Sequence, residues 1–166
     1  MAVRSSDNDE AMLGSFAPAE ETSSFIFDAT SGSDNTLTGS AGDDVFSAGA
    51  GNDTVVGNGG VDLVHTDDGD DVFVAPDTGF GRFDGGSGTD LVTFEGAGQN
   101  FDLTSLRGDQ LSGVERIDFS GFGDNILTLD SDITFAATGN ENALTGEAHS
   151  LVIDGDAGDT LNAIGD

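Results

Sequence analysis

Apolar residues recur every nine positions through the first half of the chain. Leu37, Phe46, Val55, Val64 and Phe73 keep this spacing, each embedded among polar and turn-forming residues. A period of nine is not a helical period. It divides into a six-residue turn and a three-residue strand whose middle residue faces inward while its neighbours face out. One apolar residue per unit then lines a thin core. Two nine-residue units, each a turn and a strand, make an eighteen-residue coil, so successive turns fall on opposite edges. The pattern predicts an all-β, parallel β-solenoid.

Two further residue classes keep the same register. Gly42, Gly51, Gly60 and Gly69 are nine apart, as are Asp44, Asp53, Asp62 and Asp71. The register slips by one at Ala75-Pro76-Asp77-Thr78-Gly79-Phe80, where a looser turn is expected. It resumes at Phe83 and gives its cleanest unit at Gly85-Gly86-Ser87-Gly88-Thr89-Asp90-Leu91-Val92. Upstream, Asn35 stands where an aspartate would fall, and Ser24-Phe25-Ile26-Phe27 reads as an opening strand. Residues 1–23 read as a flexible acidic tail and 24–98 as the repeat roll. Residues 99–166 read as a β-rich C-terminal cap of short strand-like runs, among them Leu111 to Phe119, Ile126 to Leu129 and Leu151 to Ile153. Gly155-Asp156-Ala157-Gly158-Asp159-Thr160 echoes Gly39-Ser40-Ala41-Gly42-Asp43-Asp44 with Thr160 for the last aspartate, and reads as a repeat that has lost its metal. Phe46, Phe73 and Phe83 are expected in the core; Phe80 and Phe122 are candidates for an exposed contact surface.

Charge sharpens this picture. The chain carries 32 acidic residues against four basic ones, a net charge of -28. That field disfavours nucleic acid and anionic membrane surfaces as partners, and no segment approaches membrane-spanning length. Asp, the shorter carboxylate, suits tight turns and metal loops. The coil geometry stacks Asp44 over Asp62 on one edge. On the other it stacks Asn35, Asp53, Asp71 and Asp90, and each edge has a second aspartate alongside, Asp43 on the first and Asp70 on the other. Strands lie roughly 4.7–4.9 Å apart. Two carboxylates at that spacing repel by about 1 kcal/mol in water and about 4 kcal/mol at the effective dielectric of a protein surface. A hard divalent cation between turns removes the repulsion. The glycine turns, at Gly42, Gly51, Gly60, Gly69 and Gly88, expose carbonyl oxygens that complete the six to eight oxygens calcium takes. Magnesium keeps its waters and demands stricter geometry, so several Ca²⁺ ions are the expected cofactor. One buried apolar side chain per nine residues does not offset the entropy of ordering nine residues, so the metal is expected to supply folding free energy.

The unit Gly-Gly-x-Gly-x-Asp-x-(apolar)-x, best kept at Gly85 to Thr93 and Ala48 to Val56, resembles the RTX calcium-binding nonapeptide. The resemblance covers roughly residues 32–94. Leu111 to Gly121 with Asn125 to Leu129 resembles the C-terminal region of secreted RTX adhesins. Membership would imply a right-handed parallel β-roll with calcium in its turns and type I secretion without a cleaved N-terminal signal. The secretion signal would lie in the C-terminal cap. Met1 to Ser24 indeed lacks an apolar stretch of signal-peptide length.

Little suggests catalysis. His65 and His149 are expected at the surface, no Gly-x-Ser-x-Gly elbow occurs, and Arg107-Gly108-Asp109 is taken as a chance tripeptide. There is no cysteine, hence no disulfide or thiolate chemistry. The expectation is a non-enzymatic, extracellular or cell-surface protein with a structural or adhesive role. It would self-assemble into a layer, matrix or filament by stacking of open solenoid ends. The alternative is a folding and secretion module of a larger RTX toxin, protease or adhesin. A regular Thr or Asn row, as an ice- or carbohydrate-binding face would need, is missing from the outward positions Ser47, Val56, His65 and Val74.

Overall fold

The computed structural model describes residues 24–27, 32–121, 123–133, 144–148 and 150–165. The tail 1–23, Phe122 and His149 lie outside them. The fold is strand-rich with almost no helix. The strands are β1 (Ser24–Phe27), β2 (Thr36–Thr38), β3 (Asp44–Ser47), β4 (Thr54–Val56), β5 (Leu63–His65), β6 (Val72–Ala75) and β7 (Arg82–Asp84). They continue as β8 (Leu91–Phe94), β9 (Asn100–Asp102), β10 (Leu111–Ser112), β11 (Arg116–Asp118), β12 (Ile126–Asp130), β13 (Val152–Asp154) and β14 (Thr160–Ile164). A 3₁₀ turn spans Leu103–Ser105.

Consecutive strands go to different sheets. One sheet has the order β1-β3-β5-β7-β10, a second β13-β11-β8-β6-β4-β2, and a third β14-β12-β9. Every pairing is parallel. In the array Leu37 pairs with Val55, and Phe46 with Val64, eighteen residues apart. The slip at 75–80 widens the step by one, pairing Val64 with Phe83 and Phe73 with Val92. Beyond the array the steps lengthen: Phe83 pairs with Leu111 and Val92 with Ile117. β10, β11 and β13 therefore extend the two sheets that the repeats begin. The third sheet branches off at β9 and stands outside this succession. Among the described residues the three sheets are open and do not form a closed solenoid.

Each strand of the array buries the apolar residue of its period: Leu37, Val55, Phe73 and Val92 from one sheet, Phe46, Val64 and Phe83 from the other. The first two sheets meet through the stacked rings of Phe73 and Phe83, with centroids 5.2 Å apart. Phe80 is a correction to the sequence reading. It is buried, edge-on to Phe73 at 5.6 Å, because the looser turn folds its one aromatic residue inward to fill the core that the slipped register leaves open.

Glycine has a steric role at the fourth turn position. Gly51, Gly60, Gly69 and Gly88 all have positive φ. A Cβ on any of them would strike the backbone of the turn below, at Ser33, Gly42, Gly51 and Gly69 respectively. Turns thus stack backbone on backbone, sealed by Gly51 N–H donating to Asp68 O and Gly69 N–H to Ser87 O, both at 2.9 Å.

Candidate metal centre

Each motif aspartate ends its turn and enters the next strand, so its side chain is held at the coil edge, beside the neighbouring coil. The structure brings the expected pairs together. Asp62 Oδ1 accepts the backbone N–H of Asp44 at 3.0 Å. On the opposite edge Asp53 Oδ1 accepts from Asn35 N at 2.8 Å, Asp71 Oδ1 from Asp53 N at 2.7 Å, and Asp90 Oδ1 from Asp71 N at 2.9 Å. Every carboxylate reaches one coil back. Asn35, Asp44, Asp53, Asp62, Asp71 and Asp90 are all buried.

Asp43 and Asp70 occupy a second ladder that the sequence reading did not resolve. It runs the other way: Asp43 Oδ1 accepts from Val61 N and Asp70 Oδ1 from Thr89 N. The two lie on opposite edges, and on the edge of Asp70 the residues Asp34 and Asn52 continue the ladder, accepting from Asn52 N and Asp70 N. These side chains are exposed at the turn surface, where each stitches its turn to the coil that follows.

One oxygen of Asp62, Asp71 and Asp90 is thereby spent on the neighbouring coil, while Asp44 Oδ2 accepts from Ser40 N–H within its own turn at 2.7 Å. Asp90 Oδ2 is buried without a hydrogen-bond partner, and so is Asp71 Oδ2. The nearby Thr66 hydroxyl instead donates to Gly85 O at 2.9 Å. These second oxygens face the first residue of their own turn. A Cβ on Gly57 would lie 2.6 Å from Asp62 Oδ2, and one on Gly39 would lie 2.6 Å from Asp44 Oδ2 and 2.7 Å from Gly57 O. Carboxylate and carbonyl oxygens therefore converge where glycine leaves space. The only donors are hard oxygens, which fits calcium and suits neither copper nor a structural zinc. Among the described residues no three His, Cys, Asp or Glu side chains form a metal-holding group. Backbone carbonyls must supply most ligands, as the glycine turns allow. Gly42, Gly51, Gly60, Gly69 and Gly88 sit in these stacked turns.

The field at the columns is uniformly negative. Burial pushes Asp62 up to about 6, helped by the charges of Asp44, Asp43 and Asp77 and opposed by the hydrogen bond from Asp44 N–H. Burial pushes Asp90 up to about 7, with Asp71, Glu115 and Asp70 adding to it. Asp71 and Glu115 are raised for the same first reason. The four carboxyls hold protons strongly because burial disfavours their charged form.

Two members of the columns escaped the sequence reading. Glu115 Oε2 accepts Asp90 N–H at 2.8 Å and extends the longer column. Its signal was the acidic residue just before the strand-like run Arg116-Ile117-Asp118. Asp159 is the second. Its Oδ1 accepts from Asn125 N at 2.8 Å, and Asn125 Oδ1 accepts from Gln99 N at 2.9 Å. This third column, on the third sheet, pairs one amide with one carboxylate. It corrects the reading of Thr160 as the lost aspartate: the turn is one residue shorter, so Asp159 takes the edge position and Thr160 begins β14. His65 lies at the surface, against Asp67 at 2.6 Å and Asp84 at 3.4 Å.

Comparison with known families agrees with this geometry. Residues 30–64 and 47–75 match the RTX calcium-binding nonapeptide repeat (4 copies). Residues 30–75 thus carry RTX calcium-binding repeats, and the aspartate columns lie largely within them. No curated protein and no solved structure matches it. No helix among the described residues is long and apolar enough to cross a membrane.

Proposed function

We propose that the chain is a secreted, calcium-folded β-roll with several Ca²⁺ ions in its turns and no catalytic chemistry of its own. It serves a structural or adhesive role outside the cell. The observation that carries this reading is the pair of buried columns, Asp44–Asp62 and Asn35–Asp53–Asp71–Asp90, in which carboxylates stack one coil apart and Asp71 Oδ2 and Asp90 Oδ2 are buried without a hydrogen-bond partner. A net charge of -28 keeps such a chain expanded where calcium is scarce. Millimolar calcium, the range in which extracellular modules bind at about 10⁻⁴–10⁻³ M, closes the roll. The same contrast suits export of an unfolded chain by type I secretion, with folding on arrival.

Circular dichroism during a calcium titration tests this. Disorder in chelator and cooperative β-structure with calcium are expected, with magnesium a poor substitute. An unchanged β-spectrum in excess chelator would refute calcium-dependent folding.

Assembly by end stacking is the specific version of the structural role. β14 lies at the edge of its sheet and is exposed along its length, including Leu161 and Ile164. An open apolar edge invites another strand. Light scattering with calcium should show particles that Leu161→Lys abolishes; a strictly monomeric protein at high concentration would instead favour a folding and export module within a longer RTX chain.

A further inference from the structure

The longer carboxylate column does not end with the nonapeptides. After β8 the chain makes an excursion through β9 and the 3₁₀ turn before returning as β10, so Glu115 reaches Asp90 across 25 residues rather than eighteen. The turn at 112–115 is zipped onto the turn at 85–90. Gly85 N–H donates to Ser112 O at 3.0 Å, and the N–H groups of Glu115 and Arg116 both donate to Asp90 O at 3.1 Å. Glu115 is buried, 6% exposed.

Between these turns lies the constellation seen at Gly39. A Cβ on Gly85 would lie 2.6 Å from Asp90 Oδ2, and Gly113 O approaches the same point more closely still. Asp90 is fully buried and its Oδ2 has no hydrogen-bond partner. Gly113 has φ of 61°, which turns its peptide in this tight loop. The obvious neutralising cation is engaged elsewhere: Arg116 pairs with Asp154. The connection from β10 to Glu115 is shorter than the nonapeptide turn, and the extra methylene of Glu over Asp restores the reach to the column.

We propose that Asp90 and Glu115, with the Gly113 carbonyl, hold a calcium ion at the junction of the repeat array and the C-terminal region. Cap docking is thereby tied to calcium. The site lies outside the residues that match the nonapeptide repeat. It rests on the calcium-folding reading above and adds to it a ligand that the repeat pattern does not contain.

The test counts calcium bound to the full chain by equilibrium dialysis, for the native sequence and for Glu115→Gln. The amide keeps an oxygen for Asp90 N–H and removes only the charge. One ion fewer, or one site weakened at least about tenfold, with the other sites unchanged, is expected. An equal count at equal affinity overturns the proposal, as it would if Asp90 and Glu115 shared a proton instead of a metal. A native chain that binds no calcium at all refutes the underlying reading, a distinguishable failure. Should Glu115→Gln not fold, Glu115→Asp decides, since it keeps the charge and shortens the reach. One site weakened at least about tenfold is expected; unchanged affinity at every site overturns the assignment.

Discussion

The carboxylate of Asp71 accepts the backbone N–H of Asp53, 2.7 Å away and one coil earlier in the chain. The contact joins two positions that the nine-residue pattern could only place near each other, and it divides the work of the Asp71 carboxylate. Oδ1 satisfies a backbone donor that would otherwise be buried unpaired, while Oδ2 is buried without a hydrogen-bond partner. Charge and hydrogen-bond capacity can therefore be separated by mutation.

Asp71→Asn retains an oxygen acceptor and discards the charge. In calcium-free buffer it should raise residual β-structure, because a buried like charge is gone. In calcium it should weaken binding and shift the folding midpoint to higher calcium. Asp71→Ala removes the acceptor as well and should destabilise by about 1–3 kcal/mol more than Asn in calcium. Circular dichroism titrations of the two variants check this; identical behaviour of Asn and Ala would rule out the backbone role.

Gly85→Ala forces a methyl group onto Asp90 Oδ2 and the Gly113 carbonyl. The expected cost is about 1–3 kcal/mol, the usual range for overpacking, together with weaker calcium binding. Ala48→Gly is the control, since its turn already accommodates a Cβ, and its change should be about 1 kcal/mol or less. Denaturant titration at saturating calcium measures both.

Proton and calcium should compete. Burial lifts Asp62 to about 6 and Asp90 to about 7 in the folded chain, against about 3.9 when unfolded. Their contribution to stability is therefore fully present below about pH 4 and is lost as pH rises through 6 and 7. The charged groups acting on them, Asp43, Asp44 and Asp77 for one and Asp70, Asp71 and Glu115 for the other, are all acidic. In calcium-stripped buffer, β-structure should increase on acidification from about pH 7.5 to about pH 4.5. Apparent calcium affinity should fall over the same range. A metal-free chain that gains β-signal as pH rises would contradict the assignment of these shifts.

The third column should behave differently. Asn125 is 1% exposed, donates Nδ2–H to Phe119 O at 3.1 Å and accepts from Gln99 N–H. Asn125→Asp loses that donor and sets a carboxylate beside Asp159. It should destabilise the cap by about 1–3 kcal/mol, with no rescue by added calcium. Hydrogen exchange of the β12 amides with and without calcium would read the difference.

Much of this was legible along the chain. The strands, their inward residues Leu37, Phe46, Val55, Val64 and Phe73, the one-residue slip and the vertical pairing of Asp44 with Asp62 and Asp53 with Asp71 all follow from a repeat kept in register. Register breaks where the period does. Phe80 looked exposed because no neighbour in sequence announces the cavity beside Phe73. Glu115 and Asp159 looked incidental because an excursion of variable length separates each from the residue it serves.

Period, glycine placement and acidity by themselves determined the strand pattern, the edges that carry carboxylates and the kind of cation those carboxylates require. All three repeat within nine residues and need only local sterics and charge to be read. Tertiary structure alone decided which oxygen of each aspartate is spent on a backbone donor, which residues beyond the array join a column, and which strands branch into the third sheet. Those choices depend on where a returning segment lands. That landing is set by packing between residues far apart in the chain, for which the intervening sequence carries no period.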